Sequence, residues 1–196
     1  MSGSITFLTG AGISVNAGIQ AFRGNAGAYA SDDLRGAFEL RRFMSSAKSR
    51  QLLWNWMSIN LHADASPTLA HHAIAGCYGS TVITQNIDDL HEKAGSRIVH
   101  HIHGTGCVAY CYRCGREYHI ADVLALVNQY GDALCTEFNA KKNKACGGVI
   151  RPGFIMYGEN VNRTVWSRSH DAMLLAATVI AVGTSLSVYP AALLMD

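Results

Sequence analysis

Cys111 and Cys114, followed by Cys135 and Cys146, place four soft ligands in one stretch of the chain. A Cys-x-x-Cys pair with a second pair downstream is the pattern of a tetrahedral structural zinc site. Ligation by sulfur alone leaves no position for water, so such a metal holds the fold and does not react. Of the other cysteines, Cys107 is the credible substitute ligand, and Cys77 reads as a small buried hydrophobe. The basic run Lys141-Lys142-Asn143-Lys144 lies between two of the ligands and reads as a solvated loop.

Three further groups of residues have chemical content. Gly10-Ala11-Gly12-Ile13-Ser14 follows a short apolar run. Glycines there let a backbone approach a pyrophosphate, and a following helix start favours its charge. The spacing is not the usual dinucleotide fingerprint, and no acidic residue stands about 20 positions on, so a plain tight turn is the competing reading. Phe22 and Arg23 come next, an aromatic ring and a guanidinium that can pair with phosphate or lie in solvent. Thr84-Gln85-Asn86-Ile87-Asp88 begins where a second apolar run ends. Its amides and carboxylate could bind a carboxamide, ribose hydroxyls and a water, or could cap a helix. His103, ahead of Gly104, is the candidate general base among nine histidines.

The elements that must hold these groups follow from pattern. Ile5–Thr9, Thr81–Thr84, Arg97–His100 and Ala177–Val182 are short β-rich runs that read as buried strands. Ile120, Val123, Leu124 and Val127 have helical spacing with Gly131 as the stop, and Leu52–Leu61 is a second helical stretch. Strands alternating with helices predict a parallel sheet covered on both faces. Segments of about 26–79 and 107–149 interrupt the alternation and read as a smaller inserted module. Pro190–Asp196 reads as the first turns of a helix that should return to another strand, so a sheet stopping there would expose an edge.

Composition excludes several classes. With 49% apolar and 15% charged residues, the 196-residue chain is a folded protein. A net charge of +2 gives no case for nucleic acid or an anionic membrane as the main partner. The longest apolar run, Ala172–Val182, is too short to cross a bilayer. The opening residues lack a basic n-region, so six cysteines point to a reducing compartment, with the cytoplasm as the expectation.

Taken in order, these motifs resemble the sirtuins, the NAD-dependent protein lysine deacylases. The resemblance rests on Gly10–Ser14, Gly18–Arg23, Thr84–His91, His103-Gly104, the cysteine quartet, Arg151–Glu159 and Gly183–Ala191, and covers essentially the whole chain. It implies an α/β, Rossmann-like, doubly wound parallel sheet of about residues 1–25, 80–106 and 150–196, with an inserted helical and zinc module. It implies NAD as co-substrate, lined by Gly10, Ala11, Gly12, Ser14, Phe22 and Arg23. Gln85 and Asn86 would serve the nicotinamide ribose or an ordered water, and Asp88 the carboxamide. Gly183, Thr184 and Ser185 would close the phosphate and ribose side, with structural zinc on the four cysteines. His103 would be the base, acting beside Asn86, and Phe154, Ile155, Tyr157, Gly158 and Glu159 the edge to which an acyl-lysine peptide adds as a strand.

The implied reaction begins with attack of the acyl oxygen on the ribose carbon as nicotinamide leaves. His103 then deprotonates a ribose hydroxyl, and water releases free lysine and O-acyl-ADP-ribose. Three departures from the family stand out. Gln20 occupies a usual Pro position, Leu52–Leu61 has no Tyr-x-x-Arg pair for acidic acyl groups, and a final strand that serves the adenine side is absent. The absent pair favours acetyl, and the absent strand implies weakened NAD binding. Competing readings are an inactive acyl-lysine-binding module and an NAD hydrolase or ADP-ribosyltransferase using the same site.

Overall fold

In the computed structural model, residues 4–20, 31–61, 64–139 and 143–195 are described. Strands β1 (Ile5–Thr9), β2 (Thr81–Thr84), β3 (Val99–His101) and β9 (Thr178–Val182) form one parallel sheet in the order β3-β2-β1-β9. Side chains alternate across it. Phe7 and Val82 point to one face, where Ile74 of helix α4 (Leu69–Ala75) packs; Leu8 and Ile83 point to the other. That second face is covered by Trp166 and Met173 of α7 (Arg163–Leu174) and by Ala191 and Leu194. Helices on both faces make this the expected doubly wound arrangement.

Two strand bounds differ from the sequence reading. The third strand runs to His101 and starts at Val99, because Val82, Ile83 and Thr84 pair with Val99, His100 and His101. The last begins at Thr178. The Pro190 segment forms a 3-10 turn, Ala191–Met195, which seats Ala191 and Leu194 against the sheet, and β9 stands last in the strand order of the described residues. Among the described residues, no helix is long and apolar enough to cross a membrane.

The smaller module has its own core. Strands β4 (Gly104–Cys111), β5 (Glu117–His119) and β8 (Ile150–Phe154) pair antiparallel in the order β5-β4-β8, and β6 (Phe138–Asn139) pairs with β7 (Lys144–Ala145). Helices α1 (Asp32–Ala37), α2 (Leu40–Ser45), α3 (Ala47–Asn60) and α6 (Ile120–Tyr130) bury Phe38, Phe43, Leu53, Trp54, Met57 and Val123 against Phe154 and Met156. Ser31 and Ser46 cap α1 and α3, each accepting a backbone N–H, and Gly131 ends α6 in a left-handed conformation as the sequence predicts. Arg50 forks onto Asp132 (2.6 and 2.9 Å) and bonds the Phe43 carbonyl, locking α3 to the loop after α6.

Packing redraws the expected division of the chain. Helix α4 lies within the segment assigned to the module, yet its Ile74 joins the sheet core with Phe7 and Val82. Strand β8, assigned to the sheet part, pairs with β4 in the module.

Candidate active site

The carboxyl ends of β1, β2, β3 and β9 meet at one crevice. Gly10 N–H donates to the Val182 carbonyl (3.0 Å) and Gly12 N–H to the Gly183 carbonyl (2.8 Å), so the turn after β1 lies directly on the loop after β9. This contact requires glycine. Gly183 has φ +64°, and a Cβ there would run into Ile13 N and Gly12 C; a Cβ on Gly12 would lie 2.9 Å from Gly183 Cα. Ala11 opens the 3-10 turn Ala11–Ile13, which carries the chain to Ser14. Phe22 and Arg23 lie outside the described residues.

Ser14 joins the glycine turn to the polar run after β2. Its hydroxyl donates to Asp88 Oδ2 (2.9 Å) and accepts from Asn86 Nδ2 (3.1 Å), and all three residues are buried. Burial pushes the Asp88 carboxyl up, opposed by the Leu90 N–H and the Ser14 hydroxyl. Gln85 Nε2 donates to Thr184 Oγ1 (2.8 Å), tying the run to the β9 loop. Ser185 instead bonds the Ser187 hydroxyl and faces solvent. Gly10, Ala11, Gly12, Ser14, Gln85, Asn86, Asp88, Gly183 and Thr184 are thus brought together by two loop contacts and one hydroxyl relay.

His103 lies half-buried in the turn just after β3. Its Nδ1 lies 3.1 Å from the Gln85 carbonyl. A carbonyl only accepts, so Nδ1 carries the proton and Nε2 keeps its lone pair. Burial lowers the His103 pKa below its ordinary value, with the Gln85 carbonyl acting the other way, so the ring is a neutral base at neutral pH.

The proposed peptide edge is tied to the rest of the chain at several points. Ile155 N–H donates to the His103 carbonyl (2.7 Å), which sets the base beside this strand. Tyr157 is held on both backbone groups, its N–H to Phe38 and its carbonyl from Leu40. Glu159 turns inward to Arg151 and accepts from Met156 N–H (2.8 Å), while Phe154 is buried in the module core. Among the described residues, Gly158 alone of this set has exposed backbone without a protein partner.

The cysteine quartet closes as its spacing predicts. The four sulfurs lie within 4.8 Å of one another, with Cys111–Cys146 at 3.7 Å and Cys114–Cys135 at 3.6 Å. Tetrahedral zinc with bonds of about 2.3 Å needs sulfurs about 3.8 Å apart, so the set fits the ion. Backbone N–H groups of Arg113 and Cys114 point at Cys111 Sγ (3.4 Å each), and Tyr118 donates to Cys135 Sγ (3.0 Å), the outer support thiolates need. Cys107 lies outside the cluster, and Cys77 is only half-buried, against the α4 face of the sheet.

Several residues of the site escaped sequence reasoning. Thr84 Oγ1 accepts from Asn86 N–H (3.0 Å), and His101 reaches the Asn86 carbonyl (3.1 Å) and Glu92 (2.7 Å). Buried His91 and His71 meet edge-to-face, ring centres 4.7 Å apart, next to the glycine turn, with His91 on Thr9 and Thr68 on the Ile13 carbonyl. The number of histidines was a usable signal, but their partners are distant in sequence.

A glycine-cradled crevice at the ends of parallel strands, an imidazole with a free nitrogen, and a four-thiolate clip define a dinucleotide-using enzyme class with a structural metal. A model of the Sir2 family matches residues 10–190, and the chain belongs to that family. The NAD-dependent protein deacylase of Mycolicibacterium paratuberculosis is 36% identical over 197 residues, covering 96% of this chain and 78% of that protein. A Sir2 structure with a p53 peptide and NAD+ superposes with a TM-score of 0.82 at 32% identity, covering 97% of this chain and 74% of that one. Another, bound to a propionylated peptide, gives 0.79 at 30% identity with the same coverage.

Proposed function

We propose that this chain is an NAD-dependent protein lysine deacylase acting on neutral acyl groups, acetyl foremost, and releasing free lysine, nicotinamide and O-acyl-ADP-ribose. The observation that carries the reading is the tautomer of His103. Its Nδ1–H is spent on the Gln85 carbonyl, next to the Asn86 that Ser14 ties to the glycine turn, so Nε2 is the nitrogen that can take a proton. When bound, NAD supplies a glycosidic bond whose loss of nicotinamide leaves an electrophilic ribose carbon.

The chain's own groups divide the remaining work. Gly10, Ala11 and Gly12 offer close backbone to the pyrophosphate, with Gly183 and Thr184 opposite; Ser185, Phe22 and Arg23 complete the proposed pocket. Asp88 accepts the carboxamide N–H of nicotinamide, and Gln85 and Asn86 orient the ribose. His103 removes the proton of a ribose hydroxyl and returns it as lysine departs. Gly158 offers N–H and carbonyl to the backbone of an acyl-lysine peptide, with Phe154, Ile155, Tyr157 and Glu159 shaping that edge. Both cations of α3 are engaged, Arg50 with Asp132 and Lys48 near Asp33, which supports a neutral acyl group. Zinc on Cys111, Cys114, Cys135 and Cys146 holds the module that carries β8. Six cysteines with no disulfide among them support a reducing compartment such as the cytoplasm, and a net charge of +2 gives no electrostatic case for nucleic acid as the main partner.

The test is to incubate the protein with NAD and an acetyl-lysine peptide, following peptide mass and nicotinamide together. Matched stoichiometry is expected. Nicotinamide release without deacylation would point to hydrolysis or ADP-ribosyl transfer, and neither change to a binding module. His103→Ala should lower turnover by about 10²-fold or more with the fold intact; unchanged turnover would remove it from the base role.

A further inference from the structure

His101 and His103 do parallel jobs with different chemistry. Each ring donates Nδ1–H to a carbonyl of the polar run at 3.1 Å, His101 to Asn86 and His103 to Gln85. Between them, Ile102 turns into the sheet core and its N–H donates to the Thr84 carbonyl. The second nitrogens differ. Among the described residues no carboxylate bonds His103, whereas His101 Nε2 lies 2.7 Å from Glu92 Oε1. Facing an acceptor on each nitrogen, His101 satisfies both only as the doubly protonated imidazolium.

We propose that His101 is a positioning residue: its imidazolium, anchored by Glu92, holds the Asn86 carbonyl so that the Asn86 side chain stays in the crevice, and turnover follows its protonation on the alkaline side. This rests on the deacylase reading of Asn86 and His103. Asn86 is then fixed at three points, its N–H by Thr84, its carbonyl by His101 and its amide by Ser14.

The charges around His101 agree. Burial opposes its charge, but Glu92, the Asn86 carbonyl and Asp88 outweigh it, so its pKa lies above the ordinary 6.5. Burial likewise opposes ionised Glu92, yet the bond and charge of His101 bring its pKa below the usual value. On α5 (Leu90–Lys93), Lys93 is paired with Asp89 and buried His91 is neutral at pH 7. The nearby β4 thiol, Cys107, is kept protonated by burial. On β3 itself, His100 faces Ser169 of α7. The brace therefore holds below the His101 pKa and fails as pH rises through it. His103, needed neutral, fails in the opposite direction, below 6.5.

The test is kcat against pH from about 5.5 to 9.5, with saturating NAD and acetyl-lysine peptide, for wild type, Glu92→Gln and His101→Gln. Wild type should give a bell. Glu92→Gln should move the alkaline limb down by about one pH unit. His101→Gln should erase that limb and lower the plateau about tenfold. The acid limb should stay in place in all three. A lost packing contact would scale the whole curve without moving a limb, so an alkaline limb unchanged in both variants overturns the proposal and leaves the deacylase reading intact. No wild-type turnover at any pH removes both. If the variants fold poorly, imidazole proton NMR of the wild-type chain decides: a His101 titration above 6.5 supports the brace, and one at or below 6.5 overturns it.

Discussion

Acidification should undermine this crevice through His91, one side chain beneath it. The ring is 1% exposed, its Nε2 lies 2.9 Å from the hydroxyl of Thr9, and Nδ1 has no hydrogen-bond partner among the described residues. Burial, helped by neighbouring His71, pushes its pKa from 6.5 down to about 4. A base with a depressed folded pKa binds fewer protons folded than unfolded. Its contribution is therefore complete above 6.5 and is lost as pH falls toward 4. At 1.36 kcal/mol per pH unit, the loss is about 2 kcal/mol by pH 5 and about 3 kcal/mol by pH 4. That is a large part of a typical domain's stability of about 5–15 kcal/mol. Urea midpoints for wild type and His91→Gln at pH 7, 6, 5 and 4.5 measure it. The variant should start less stable at pH 7 and lose about 2 kcal/mol less by pH 5. Protonation of the zinc thiolates affects both proteins equally and cancels in the difference. Parallel loss in the two proteins would refute the assignment of acid sensitivity to His91.

Two other predictions follow from geometry. Gly183→Ala combines a left-handed φ with a Cβ driven into the Gly12-Ile13 backbone; it should cost at least about 2 kcal/mol in thermal or urea unfolding. The same substitution should raise KM for NAD about tenfold or more, and an unchanged KM would mean that the contact does not shape the cofactor pocket. Cys135→Ser removes a buried ligand that also accepts from Tyr118. Zinc content by atomic absorption should fall, and the module should unfold at lower denaturant by several kcal/mol; full zinc retention would contradict four-thiolate ligation.

The fold was legible wherever hydrophobic pattern and chemistry coincided. Strands ending at Thr9, Thr84 and Val182 announce themselves because β-rich apolar runs stop at Gly10, Gln85 and Gly183, and the same stops mark the crevice. The cysteine site was legible because ligand type and spacing constrain one another. The module border was not. Ile74 looks like any helical apolar residue, and only packing shows that it covers β1 and β2. Tyr157 shows a related limit: its place in the Arg151–Glu159 run is visible, but capture of its backbone by Phe38 and Leu40 depends on a segment far away in the chain. His101 was passed over because a histidine's role lies in its second nitrogen, and Glu92 is brought there by the helix α5 turn and not by any pattern in β3.

The contrast between His101 and His103 shows how one strand end can supply two unlike imidazoles. His101 closes β3 and His103 follows in the turn just beyond it, with Ile102 between them in the core, so place in the chain alone does not distinguish them. Both give Nδ1–H to consecutive carbonyls, so the backbone bond does not distinguish them either. The carboxylate does. Glu92 makes the cation the satisfied form of His101, whereas burial without a carboxylate makes the neutral ring the satisfied form of His103. A base must be unprotonated to act, and a two-sided brace must be protonated to hold. Placing the acid beside position 101 lets both conditions hold over the same pH range, whereas a carboxylate on the far nitrogen of His103 would occupy the lone pair that the reaction needs.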